Sequence, residues 1–162
     1  MTATPPFALF VLASQSIRTL NTVLQEAHDD PSVDTWWWYL ATLDYRAAPQ
    51  RKPDGTGQIG TPTPVDPSFS FPFVEKGLED VAKWLRGKPR NVDLDNRYFG
   101  VLDKEAGKSG KVAICRLNDP KEKEPAWCIL RDADESTLFL AGLPSDLDWN
   151  ELVEIGRYTL EL

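Results

Sequence analysis

The sequence predicts a single α/β domain over residues 1–162, built on a central mixed β-sheet in the order β-α-β-α-β-β-β-β-α. Three observations carry this prediction. In the first half, apolar runs of strand length alternate with segments of helical spacing, and the second half is a series of short strands separated by polar turns. The 162 residues, 41% hydrophobic and 27% charged, suit one soluble domain large enough to bury a core.

The first strand is "FALFVLA", and "SQSIRTLNTVLQEAHDD" after it reads as a helix. Ser14 or Ser16 caps that helix, and Ile17, Leu20, Leu24 and Ala27 share one face. "FALFVLA" has no Lys or Arg before it and is preceded by Pro5-Pro6, so it reads as a buried strand and not as a signal peptide. "TWWWYLATLDY" follows as a long apolar run between Asp34 and Asp44, the pattern of a strand covered on both faces. In such a strand Trp36 and Trp38 point to one face and Trp37 to the other. All three are core if helices cover both faces, and a binding platform if one face stays open.

From Arg46 to Phe73 the chain carries six prolines and three glycines, the mark of a long loop or insertion. Its middle, Lys52 to Pro64, has almost nothing apolar to bury, so this is expected to be the least stable part of the fold. "VEKGLEDVAKWLRGKP" then places Val74, Leu78, Val81 and Leu85 on one helical stripe, ended by Gly87 and Pro89. "RYFGVLD", "KVAICRL", "AWCILR" and "TLFLAGL" are the remaining strands, with "NDPKEKEP" as a hairpin loop. A helix beginning near Ser145 or Asp146 and a short closing strand in "RYTLEL" complete the chain.

Charge and motifs exclude several chemistries. The net charge of −7 lies wholly in the last 31 residues, where eight acids face only Arg157. Nucleic acid demands a basic patch, so it is not an expected partner. No apolar run reaches the roughly 18 residues of a membrane-spanning helix, so no membrane partner is expected either. Gly55-Thr56-Gly57-Gln58-Ile59-Gly60 has the spacing of a dinucleotide loop, but Thr61-Pro62-Thr63-Pro64 cannot open the helix that a pyrophosphate needs. Cys115 and Cys128 fall on neighbouring strands of one hairpin. They read as buried hydrophobes ahead of a redox pair, and a cytoplasmic address is the default for so few cysteines. No zinc set exists around them, since they lack a Cys-x-x-Cys pair and His28 is distant. Asp93-Leu94-Asp95-Asn96 lacks the central Gly and closing Glu of a calcium loop and reads as a turn. No cofactor or metal is expected.

From Tyr98 to about Ile155, the stretches "YFGVLDKEA", "VAICRLND" and "AWCILR", and then Leu138-x-x-Ala141 leading to Asp148-Trp149-x-Glu151-Leu152, resemble a family of small uncharacterised actinobacterial and fungal proteins, a domain of unknown function. The opening strand and amphipathic helix are similar too. The resemblance implies an α/β fold and carries no activity or catalytic residue.

Two functions compete on this evidence. The first is a non-catalytic protein-binding or regulatory module that offers its acidic C-terminal third to a basic protein, with Asp148, Trp149 and Glu151 as candidate contacts. The second is a small-molecule-binding protein or enzyme. Its pocket would lie between the 46–73 loop and Trp36, Trp37 and Trp38, with Asp44, Asp103 or His28 as the acid or base.

Overall fold

The computed structural model describes residues 5–29, 35–54, 59–142 and 146–162, and side chains within the last segment from Asp148 onward. The glycines Gly55 and Gly57 lie outside the described residues, as do Asp34 and the side chain of Asp146.

The fold is a single α/β domain around one six-stranded mixed sheet. Its elements run β1 (Phe7–Val11), α1 (Ile17–His28), β2 (Trp38–Leu40), α2 (Leu78–Arg86), β3 (Tyr98–Leu102), α3 (Lys104–Ser109), β4 (Lys111–Leu117), β5 (Ala126–Asp132), α4 (Ala133–Ala141), α5 (Asp146–Gly156) and β6 (Arg157–Tyr158). The strands lie in the order β2-β1-β3-β4-β5-β6. β1 is parallel to both β2 and β3, as helix-bearing crossovers require, and β3 to β6 pair antiparallel, with β4 and β5 forming a hairpin.

Alternation along β1 divides the core. Phe7, Leu9 and Val11 point to the face covered by α1, α4 and α5, while Ala8, Phe10 and Leu12 meet Val81, Trp84 and Leu85 of α2 on the other. The two early helices therefore cover opposite faces, which explains why β1 is apolar at every position. Among the described residues no helix is long and apolar enough to cross a membrane.

Local signals explain the helix ends. Ser16 caps α1 by accepting from the Thr19 amide at 3.0 Å. α2 begins at Leu78 and not at Val74, because Gly77 is its N-cap and the Asp80 carboxylate accepts the Gly77 amide at 3.1 Å. Asp103 caps the short α3, which the sequence reading missed, and Gly110 ends it in the left-handed region at φ 70°.

"TLFLAGL", expected as a strand, departs from expectation: its residues Thr137 to Ala141 form the C-terminal half of the helix α4, and Leu143 lies outside the described residues. A short apolar run cannot be told from a buried helix by periodicity alone. The decisive signals were upstream, in Asp134 and Glu135 of the first turn and in the buried spacing Ala133, Ser136, Thr137, Leu140. The element order changes accordingly, with α3 and α4 added and the closing strand formed by β6.

The tryptophan run also differs from expectation, since only Trp38, Tyr39 and Leu40 form a strand. Trp38 is 1% exposed and its indole lies over Gly100, where a Cβ would approach it to 2.7 Å. Its Nε1 donates to Ser136 Oγ at 3.0 Å, tying the edge strand to α4. The outer edge of β2 is occupied by the 46–73 segment. Gly60 donates to Trp36 O at 2.6 Å, Thr61 donates to Trp38 O at 2.8 Å, and Thr61 Oγ1 accepts the Leu40 amide. Val65 and Phe73 are buried, so the segment docks on the body at these points.

Gly60 permits that close approach, because a Cβ there would lie 2.3 Å from Trp38 O. Gly60→Ala is therefore expected to lower stability by about 1–3 kcal/mol, as overpacking does. Gly77→Ser, where a Cβ meets nothing within 4 Å and serine is a better cap, is expected to be neutral or mildly stabilising. Urea unfolding of the two variants checks both outcomes.

Candidate functional site

The residues singled out by sequence do not converge. Trp149 is 1% exposed and meets Tyr98 edge-on at 5.5 Å, so with Trp38 it belongs to the core. Trp36 and Trp37 are half-buried; Trp36 stacks on His28 at 3.9 Å with planes 15° apart. That stacking accounts for His28, whose Nδ1 also lies 3.4 Å from Asp29 Oδ1. Asp44 is the cap of a single 3₁₀ turn, Tyr45–Ala47, and pairs with Arg46 at 3.1 Å. Hydrogen bonds from the Arg46 side chain and amide hold its carboxyl below the ordinary carboxylate range, the behaviour of a structural ion pair. Asp148 is half-buried and Glu151 exposed on α5. Gly60 and Thr61 of the 46–73 loop bond directly to the backbone of Trp36 and Trp38.

Asp103 does occupy a special position. It stands at the carboxyl end of β3 and is fully buried. Its Oδ1 accepts the Ala106 amide at 2.8 Å, and its Oδ2 accepts both Tyr158 Oη and the Glu161 amide at 2.7 Å. Lys104 donates its amide to Glu161 O at 3.1 Å, and Gln15 Nε2 donates to Asp103 O at 3.0 Å. Gln15 packs against Gly107, where a Cβ would come within 2.1 Å of it. These bonds draw the segment after β6 back across the sheet toward the end of β3.

That crossing creates a cavity. On the face opposite α1, the described residues include one α-helix, α2, packed against the sheet core, in one cluster with Ala126 and Cys128 of β5. The space left between α2 and the C-terminal segment is a groove of about 440 Å³. Its floor is Ala126 and Cys128 of β5, and its apolar walls are Leu78, Pro125, Leu160 and Leu162. Glu79, Asp80, Glu124 and Arg157 line it with charge. A second cavity, of about 490 Å³, shares Gly77 and Leu162 with the first and opens onto Leu12, Ala13 and Ser14 after β1, beside Lys104. Carboxyl ends of parallel strands are where open α/β sheets place ligands.

Register explains the small floor. Tyr39, Ala8, Phe99, Cys115, Cys128 and Tyr158 pair in turn, so one row crosses all six strands on the α2 face. Cys115 and Cys128 lie directly opposite with Cα atoms 4.1 Å apart and are joined as a disulfide. Both are buried, as expected, and the bond puts the pairing, expected only second, ahead of two separate thiols. A link that closes so short a loop contributes about 3 kcal/mol by restricting the unfolded chain.

Arg157 makes a salt bridge with Glu124, which also accepts Trp127 Nε1 at 3.0 Å. The Arg157 guanidinium lies 5.5 Å from the centre of the Trp127 ring. Among the described residues, one triplet of acids converges elsewhere: exposed carboxylates of Asp132, Asp134 and Glu135 lie within 4.8 Å of one another at the junction of β5 and α4. Sequence reasoning missed the groove entirely. Its walls come from three separated stretches of chain, and the bonds to Asp103, with that from Lys104 to Glu161, bring the last of them into place.

Compared with family models, curated proteins and solved structures, the chain matches none.

Burial, followed by the hydrogen bond to Asp103, pushes the Tyr158 phenol well above its ordinary value. A phenol with a raised folded pKa contributes stability that is present in full below its unfolded value of about 10 and lost as pH rises through the folded value. Tyr158→Phe is expected to cost about 1–3 kcal/mol at neutral pH. It should also remove part of the stability loss seen above pH of about 10. Chemical denaturation of both proteins at neutral and alkaline pH checks the effect, and an equally stable variant would show that the latch carries no energy.

Proposed function

We propose that this protein binds a small, largely apolar molecule in the groove between α2 and the C-terminal segment. The observation that carries the reading is the 440 Å³ cavity floored by the two small side chains Ala126 and Cys128. Its size falls within the roughly 300–1,000 Å³ range of ligand pockets, and such pockets are mostly apolar with a few polar groups. The nearby carboxylate Asp103 is fully engaged in holding the walls, so the reading is of binding and not of acid–base catalysis. Phenylnaphthylamine, a neutral dye that brightens in apolar sites, tests it. Wild-type protein is expected to enhance its emission saturably, and Gly77→Phe, which places a ring where a Cβ meets open space at the groove wall, is expected to weaken that binding at least tenfold while the fold persists by circular dichroism. Equal binding by the two proteins would place the dye elsewhere and refute the reading.

The convergence of Asp132, Asp134 and Glu135 favours a second reading, an acidic face that attracts a basic protein. Charge steering predicts association that weakens steeply with salt. Pull-downs from native extract at low and high salt, repeated with all three acids changed to their amides, are expected to lose the same partner under both changes; salt-insensitive capture would count against the acidic face.

A further inference from the structure

We infer that the groove selects a cationic amphiphile, an amine carrying an aromatic or branched apolar body. This rests on the proposal that the groove binds a small molecule and adds the chemical class. Three carboxylates line the groove, those of Glu79, Asp80 and Glu124, against the single guanidinium of Arg157. That guanidinium is paired with Glu124 and stacked beside Trp127, so its charge is already answered within the protein. Glu79 and Asp80, both exposed in the first turn of α2, leave the rim negative. The N-terminal end of α2 favours negative charge, and Asp80 meets part of that preference by accepting the Gly77 amide. Glu79, exposed in the same turn, also lines the groove, whereas Glu124 is held by Arg157 and Trp127 and Asp80 bonds the backbone.

The apolar body of such a ligand would cover Ala126 and Cys128 and touch Leu78 and Leu160, while its ammonium group remained at the wet rim beside Glu79. A cation placed there keeps most of its hydration, so it gains attraction without the large penalty of burying a charge. An anionic amphiphile of the same shape would meet the same carboxylates as repulsion. The second cavity, beyond Gly77, sets Lys76 and Lys104 against Glu75 and lacks the excess of carboxylates.

The test compares phenylbutylamine, phenylbutanol and phenylbutyrate as competitors that displace phenylnaphthylamine from wild-type protein and from Glu79→Gln. The amine is expected to displace the dye at concentrations roughly five- to tenfold lower than the alcohol, the scale of one charge pair near a wet surface, with the butyrate weakest. Added salt and Glu79→Gln should each shrink the advantage of the amine and leave the alcohol unchanged. If the alcohol or the butyrate competes as well as the amine, or if Glu79→Gln keeps the full preference, the cationic class is overturned while dye binding still upholds the groove. If the dye fails to bind wild-type protein, or binds Gly77→Phe equally, the groove reading falls and this inference falls with it.

Discussion

The carboxylate of Asp103 ties the start of α3 to β6 and to the segment after it. A buried charge is tolerated only where hydrogen bonds replace its water, and here a helix amide, a phenol and a backbone amide of the C-terminal segment all donate to it. One side chain thus caps α3, fixes the ring at the end of the six-strand row and sets the path of residues 159–162. The groove wall formed by Leu160 and Leu162 exists because that path is fixed. Removing one donor would loosen the others, since a partly satisfied buried carboxylate is costly. Stability and site are therefore coupled at a residue that does not line the groove.

The opposite end of the sheet is held by another close fit. Trp38 can lie flat over β3 only because position 100 is glycine, and the strand edge beside it can be covered only because position 60 is glycine. With its Nε1 bonded to Ser136, the ring joins β2, β3 and α4 in one contact. An open edge at β2 would invite pairing with another chain, and the segment around Gly60 and Thr61 removes that hazard by hydrogen bonding along it. Pro62 and Pro64, just after Thr61, suit such an edge cover, since proline offers no amide to recruit a further strand.

Several of these features were legible in the sequence. The all-apolar β1, the amphipathic α1, and the strands β3, β4 and β5 follow from spacing, because strong periodicity or a continuous run bounded by turns leaves little freedom. The opposition of Cys115 and Cys128 on one hairpin was legible too, but the bond was not: whether two thiols meet depends on register, and a slip of one residue would turn one of them to the other face. α4 was read as a strand because its apolar stretch was weighed without the acidic turn before it. The role of Asp103 was invisible for a different reason. Its partners Tyr158 and Glu161 lie more than fifty residues away, and no local pattern signals a bond closed by tertiary packing.

The same distance explains why the tryptophans and the scattered acids misdirected the search for a site. Large aromatics stand out in a sequence, yet their area makes them the best core material, and Trp38 and Trp149 are used in that way. The groove is defined by the reverse, by small residues where the sheet needed none larger. Ala126 and Cys128 lie on the face that α2 packs against, and the cross-strand disulfide holds Cys128 to the strand beside it. That bond also bears on the compartment. Disulfides persist in oxidising surroundings, so in a reducing cytoplasm the floor of the groove would carry two thiols instead of one link. The charge at its rim would be unaltered, because Glu79, Asp80 and Glu124 belong to α2 and to the hairpin loop, and neither is joined to the cysteines by a side-chain bond. Shape at the floor and charge at the rim are thus set by separate parts of the chain, which allows the groove to keep its preference for charge whatever the state of its sulfur.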